Sequence, residues 1–226
     1  MKNLFCVLIC MIFLFACQQD HKQRDSPKEF NQALADQLAR RANLDQTAAG
    51  VPPEKYKTLG LEKWRTYKDS VFRTNQVFLE RVLNDYGFPG IDLVGEQGTF
   101  DYWLMVQHCD FDPDFQKRVL ALMKIEVAQE NAIPRNYGLL FDRVQLNTGK
   151  KQVYGTQVRY HTKTGQAYPK PLKDSMHVNQ RREAVGLDPL EVYLNRMTLS
   201  HFEMNKENMM KRGIQKPSLY VVNEKE

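Results

Sequence analysis

Apolar positions along the chain form a run of helical stripes and then, late in the sequence, one short stretch of β-forming pattern. From Phe30 they recur every four residues at Phe30, Leu34, Leu38 and Ala42, the face of an amphipathic helix, which Gly50-Val51-Pro52-Pro53 brings to an end. Trp64, Tyr67, Val71, Phe78 and Val82 mark one face of a longer helix that stops at Gly87, with Pro89 beyond it. A third helix begins after Gly95 and contains Phe100-Asp101-Tyr102-Trp103-Leu104-Met105-Val106. Because it is apolar on nearly every side, it is expected at the centre of the fold. Asp112-Pro113 sets an N-cap before a proline at the first helical position, so a fourth helix starts there with Phe115, Val119, Leu122 and Val127 facing inward. Pro134 opens a shorter helix through Leu139, Leu140 and Phe141.

After Asn147-Thr148-Gly149-Lys150 the pattern changes. Gln152 to His161 is rich in β-formers, Thr162-Lys163-Thr164-Gly165 is turn-like, and Ala167 to Leu172 returns with Pro169 and Pro171, which restrict it to an edge strand. Asn179 is placed to cap a short helix ended by Gly186, and Asp188-Pro189 repeats the cap-plus-proline device before a helix bearing Leu190, Tyr193, Leu194 and Met197. The expected fold is α+β and mainly helical: several packed helices with a small antiparallel β-hairpin in the C-terminal third. It forms one globular domain over residues 30–203, followed by a polar, Met-rich tail over 204–226.

The N-terminus has a different character. Met1-Lys2-Asn3 precedes an almost uninterrupted apolar run from Leu4 to Phe15, then Ala16 and Cys17. That is a signal peptide over residues 1–16, too short for a stable membrane span. Leu14-Phe15-Ala16-Cys17 resembles a bacterial lipobox, although Phe15 stands where a small residue is usual, and it implies lipidation of Cys17. Residues 17–29 are then a lipidated, flexible tether. The expected location is the cell envelope, facing the periplasm. Gln18 after the acylated cysteine resembles lipoproteins passed on to the outer membrane.

Composition adds exclusions. Of 226 residues, 42% are hydrophobic and 26% charged, which is ordinary globular composition. The formal charge of +5 is spread along the chain and aromatic-plus-basic motifs are absent, so no nucleic-acid partner is expected. Of four cysteines, Cys6 and Cys10 leave with the signal peptide and Cys17 is acylated, so Cys109 has no intramolecular disulfide partner. There is no Gly-x-Ser-x-Gly, P-loop, dinucleotide or kinase signature, and no cofactor is implied. His161, His177 and His201 lie in unrelated contexts and no His-x-x-x-His occurs, so no metal site is expected.

Two polar groups are candidates for chemistry. His108 follows Phe100 and Leu104 at spacings of eight and four, so a continuous helix places it on their buried stripe beside Gln107. It reads either as a satisfied core histidine or as a general base, with Asp110 free to orient it and Gln116 near the same corner. The second group is Asp142-Arg143 with Gln152-Val153-Tyr154-Gly155-Thr156-Gln157. In a strand, Gln152, Tyr154 and Thr156 face one way and Val153 and Gln157 the other, while Gly155 admits a close neighbour. Of Arg181 and Arg182, one is expected to pair with an acid such as Asp142 or Glu183 and the other to be free for an anionic ligand.

Together, Asn75 to Gly90, Val94-Gly95, Trp103 to Asp110, Phe115-Gln116, Asp142-Arg143-Val144, Gln152 to Gln157 and Arg181-Arg182-x-x-x-Gly186-Leu187 resemble an uncharacterised bacterial family, domain-of-unknown-function family 6624. The resemblance covers about residues 70 to 197. It implies that the Gln-His and Tyr-Gly-Thr-Gln elements belong to one domain, and it carries no activity. The expectation is a non-catalytic binding module in which His108 and Asp142, as catalytic candidates, converge with Gln107, Asp110, Gln116, Arg143, Tyr154, Gln157, Arg181 and Arg182 on a polar pocket for a small ligand or protein partner. The alternative is a hydrolase-like acid-base enzyme acting on a polar or anionic envelope ligand through His108.

Overall fold

The computed structural model describes residues 28–222, so the signal peptide, Cys17 and most of the tether lie outside the described residues. Helix α1 (Gln32–Ala49) starts where the Asn31 side chain accepts a hydrogen bond from the Leu34 N–H at 3.0 Å. It buries Leu34, Leu38, Ala42 and Ala48. Phe30 was expected on this stripe but stands before the helix and is half exposed, because Asn31 after it is the cap, with non-helical backbone angles and an N–H bonded across to the Leu93 carbonyl. After the short α2 (Glu54–Leu59), α3 (Leu61–Tyr86) buries Trp64, Phe78, Leu79, Val82 and Leu83 and stops at Gly87, whose φ of 73° only glycine adopts freely.

The central helix is α4 (Ile91–Val106), with a break at Gly95. Leu93, Val94, Tyr102, Trp103, Met105 and Val106 are all buried. It packs against α1 and α3, while α5 (Pro113–Ala128) and α6 (Pro134–Asn147) pack against each other and complete the main core. Asp112 caps α5 as its sequence predicts, accepting from the Phe115 N–H at 3.0 Å.

The C-terminal third forms a second, smaller apolar cluster. Strands β1 (Val158–Tyr160) and β2 (Ala167–Pro169) pair antiparallel with Arg159 opposite Tyr168, as expected for the hairpin. The first strand is much shorter than the β-rich stretch, because residues 152–157 form a loop whose N–H groups bond elsewhere. Helices α7 (Val178–Glu183) and α8 (Leu190–Met204) follow, and Leu190 and Leu194 pack with Ala167 and Val178. Asn179 does not cap α7, whose N-cap residue is His177. Its Oδ1 instead accepts from the Leu190 N–H at 2.7 Å, capping α8, where Pro189 offers no side-chain acceptor. Beyond Met204 the chain is not detached: α9 (Lys206–Lys211) buries Met209 with Phe202 and Ile214. The Tyr220 hydroxyl donates to the Ala167 carbonyl at 2.7 Å. Among the described residues no helix is long and apolar enough to cross a membrane.

Gly155 combines a φ of +72° with a close neighbour, since a Cβ there would meet Leu190 Cδ1 at 2.9 Å. Gly149, with φ +75°, faces open space. Gly155→Ala should therefore cost about 2–3 kcal/mol in urea unfolding and Gly149→Ala only about 1 kcal/mol. Equal losses would show that the Leu190 contact contributes nothing.

Candidate functional site

Helix α4 ends at Val106, two residues before His108, and a tight turn follows in which the His108 N–H bonds to the Met105 carbonyl. His108 is therefore not on a continuation of the Phe100–Leu104 stripe. The turn carries it to α1 and α3, where its ring stacks on Phe72 at 4.7 Å with planes 22° apart. Its Nδ1 lies 2.6 Å from Oδ2 of Asp45 on α1. Asp45 is fully buried, whereas the His108 side chain is 20% exposed. A carboxylate offers only acceptors, so Nδ1 carries the hydrogen in this contact, and in the neutral ring Nε2 is left as an acceptor. Nε2 is not among the buried atoms without a partner.

Asp45 also accepts from Asn75 Nδ2 at 3.3 Å and from Gln46 Nε2 at 3.2 Å. Arg41 Nη1 in turn donates to Asn75 Oδ1 at 3.3 Å, with its guanidinium 4.3 Å over the Phe78 ring. Burial and the nearby Arg81 charge lower the Arg41 pKa. Arg41, Asn75, Asp45 and His108 thus form one hydrogen-bonded chain across α1, α3 and the end of α4.

Asp110, expected to orient His108, does not. Its carboxylate takes a two-pronged contact from Arg143 at 2.8 and 2.7 Å, with further bonds from Asn147 at 2.7 Å and Gln116 at 3.3 Å. Burial alone would raise its pKa, but Arg143, Gln116 and Asn147 outweigh that and hold it below the usual carboxylate value. Gln116 is buried and also donates to the Val106 carbonyl, tying α5 to the end of α4. Gln107 is buried, and its Nε2 has no partner among the described residues. Cys109 is buried with its Sγ 3.6 Å from the Met105 carbonyl. Burial and the charges of Asp45, Asp112 and Asp110 push the thiol up, which disfavours a thiolate there.

Asp142 belongs to a different arrangement. Fully buried on α6, its carboxylate accepts from the backbone N–H groups of Val153 (2.6 Å), Tyr154 (3.0 Å) and Thr156 (2.9 Å) and from the Thr156 hydroxyl (3.1 Å). These bonds explain why residues 152–157 form a loop: N–H groups that a strand would offer to a neighbour are directed at one side chain. Gln152 closes the loop from the other end, accepting from the Gln157 N–H and donating to the carbonyls of Gln157 and Lys170. Tyr154 packs edge-on against Phe141 of α6.

Both arginines hold this loop too, though neither pairs with Asp142 or Glu183. Arg181 donates to the carbonyls of Val153, Lys173 and Asp174 and pairs with the Asp174 carboxylate at 3.2 Å. Arg182, fully buried, donates to the carbonyls of Asp188 and Tyr154, both at 2.6 Å, and lies 5.0 Å from the Tyr193 ring centroid. Burial lowers its pKa, and its Nη2 has no partner among the described residues.

Apart from Gln107, the expected residues therefore fall into three hydrogen-bonded groups: His108 with Asp45, Asp110 with Arg143 and Gln116, and Asp142 with the Tyr154–Gln157 loop and the arginines. No hydrogen bond or ion pair among the described residues joins His108 to Asp142, Tyr154, Gln157 or either of Arg181 and Arg182. Asp45 and Asn75 escaped the sequence reading, although a signal was present. Asp45 continues the Leu34, Leu38, Ala42 stripe, and Asn75 falls between Val71 and Phe78 on the apolar face of α3. A polar residue on an apolar stripe needs a buried partner.

A model of the family of unknown function DUF6624 matches residues 61–202. The chain belongs to this family. No curated protein and no solved structure resembles the chain closely enough to match. The DUF6624 segment contains His108, Asp142 and the Tyr154–Gln157 loop, whereas Asp45 lies before it.

If Asp142 organises the loop, Asp142→Ala strands several buried donors at once. It should cost about 3–5 kcal/mol in chemical unfolding. A loss below about 1 kcal/mol would show that water replaces the carboxylate without penalty.

Proposed function

We propose that the chain is an envelope lipoprotein whose DUF6624 domain, completed by α1, binds a polar or anionic ligand at the surface around His108 without turning it over. The observation that carries this reading is the 2.6 Å contact from the fully buried Asp45 to His108 Nδ1. It fixes the imidazole and leaves its second nitrogen for a ligand, as an acceptor to a polar donor in the neutral ring and as a donor to an anion once the ring is doubly protonated. Arg41 supports an anionic ligand, since it shares the hydrogen-bonded chain and has no carboxylate partner among the described residues. Asp142, Tyr154, Gln157, Arg181 and Arg182 act here as architecture, holding the 152–157 loop. Membrane attachment enters through Cys17 and the tether.

A second reading rests on the same contact. A carboxylate orienting one imidazole nitrogen is half of an acid-base apparatus, so hydrolysis through His108 is the alternative. Binding is preferred because no hydroxyl or thiol nucleophile is hydrogen-bonded to His108 among the described residues, and burial with nearby acids disfavours a thiolate at the adjacent Cys109, so hydrolysis would have to recruit a water.

The two readings separate by experiment. In nitrogen NMR of the labelled full chain at mildly acid pH, with the His108 ring doubly protonated, acetate or inorganic phosphate should move the Nε2 resonance, while Nδ1 keeps the shift of a nitrogen bonded to Asp45. Failure of both anions to move it would remove the binding surface. Release of nitrophenol from nitrophenyl acetate or nitrophenyl phosphate should be equal for the wild type and His108→Ala. A His108-dependent rate would instead establish the acid-base reading.

The anchor has its own test. Mass spectrometry of the membrane fraction should find a mature N-terminus at Cys17 carrying acyl chains. An unmodified chain beginning elsewhere would refute lipidation.

A further inference from the structure

The cleft between α5 and α6 shares no residue with the His108 group, and no residue of the 152–157 loop lines it although Tyr154 packs against its Phe141 ring; its chemistry is one-sided. It encloses about 230 Å3. Its floor is apolar and aromatic: Val144 is buried, and the rings of Tyr137 and Phe141 sit 5.7 Å apart. Its rim carries three lysines, Lys117 and Lys124 from α5 and Lys150 just beyond α6, and no acidic residue lines it. Lys117 has an exposed partner in Asp114 one turn away, a contact of little strength. The ammonium groups of Lys124 and Lys150 have no ion-pair partner among the described residues. Lys150 is held at the rim by its own backbone, whose N–H bonds to the Gln145 carbonyl at 2.8 Å after the left-handed turn at Gly149.

From this geometry we infer that the α5–α6 cleft binds a small organic anion, a phosphate or carboxylate carried on an aromatic or short apolar stem. The stem lies on Tyr137, Phe141 and Val144, and the anionic head meets Lys124 and Lys150 at the rim. Uncompensated positive charge around an apolar floor selects this combination over a neutral ring or a bare inorganic ion. The volume is below the ~300–1,000 Å3 of pockets for drug-sized ligands, which fits a single ring with its charged group. Tyr137, half-buried at the cleft, has a hydroxyl without a hydrogen-bond partner among the described residues, and burial raises its pKa, so it remains a neutral donor.

Phenyl phosphate is the probe. Calorimetric titration of the full chain should show saturable binding, with benzyl alcohol and inorganic phosphate each weaker by about tenfold or more. Lys124→Gln combined with Lys150→Gln should weaken phenyl phosphate by about tenfold or more and leave thermal unfolding unchanged, because neither ammonium holds another side chain. No binding of phenyl phosphate would overturn the proposal, as would binding that the double variant leaves intact. So would lysine-dependent attachment to vesicles containing phosphatidylglycerol without binding of phenyl phosphate, which would make the patch a lipid-headgroup contact.

Discussion

Asp142 carries a carboxylate in the interior, and the chain around it is arranged to keep that carboxylate satisfied. A buried acceptor of this kind is costly without donors, and each buried donor left unmade costs about 1–3 kcal/mol. The Val153, Tyr154 and Thr156 N–H groups with the Thr156 hydroxyl meet the need on one side of the loop. Once the N–H groups point inward, the carbonyls of the same residues point away, and these are what the C-terminal helices grip. Arg182 of α7 takes the Tyr154 carbonyl, Arg181 the Val153 carbonyl, and the Tyr193 hydroxyl of α8 the Thr156 carbonyl. The second apolar cluster is thereby fastened to the main helical core through a loop that one side chain shapes.

This dependence also explains what could be read from the sequence. Helix boundaries were legible where the chain announces them chemically: Asp112-Pro113 at the start of α5, Pro134 at the start of α6, Gly87 after α3. The hairpin was legible because Thr162 to Gly165 is a turn whatever surrounds it. Residues 152–157 were not, because β-propensity describes local fit while the competitor for their N–H groups lies ten or more residues away on α6. Asn179 was misplaced for the same reason: it caps a helix, but the one after the next turn. At His108 apolar spacing was extended two residues past the last helical position, since periodicity does not register where the backbone hydrogen bonds stop. That small error changes its partner from Asp110 to Asp45.

His108 lies in the DUF6624 segment and its carboxylate partner lies ahead of it, on α1. Helix α1 is brought there by ordinary packing of Leu34, Leu38 and Ala42 against the core, and that packing delivers Asp45 into an interior where a carboxylate must find donors. Asn75 and Gln46 provide two, and His108 provides the closest. A structural seam between α1 and the rest would be served by any donor at that third place, such as an amide or a hydroxyl. An imidazole does the same work and also presents a second nitrogen on a side chain that is still one-fifth exposed. The seam accounts for Nδ1. It leaves Nε2 unexplained, and that nitrogen is what separates a helix contact from a binding site.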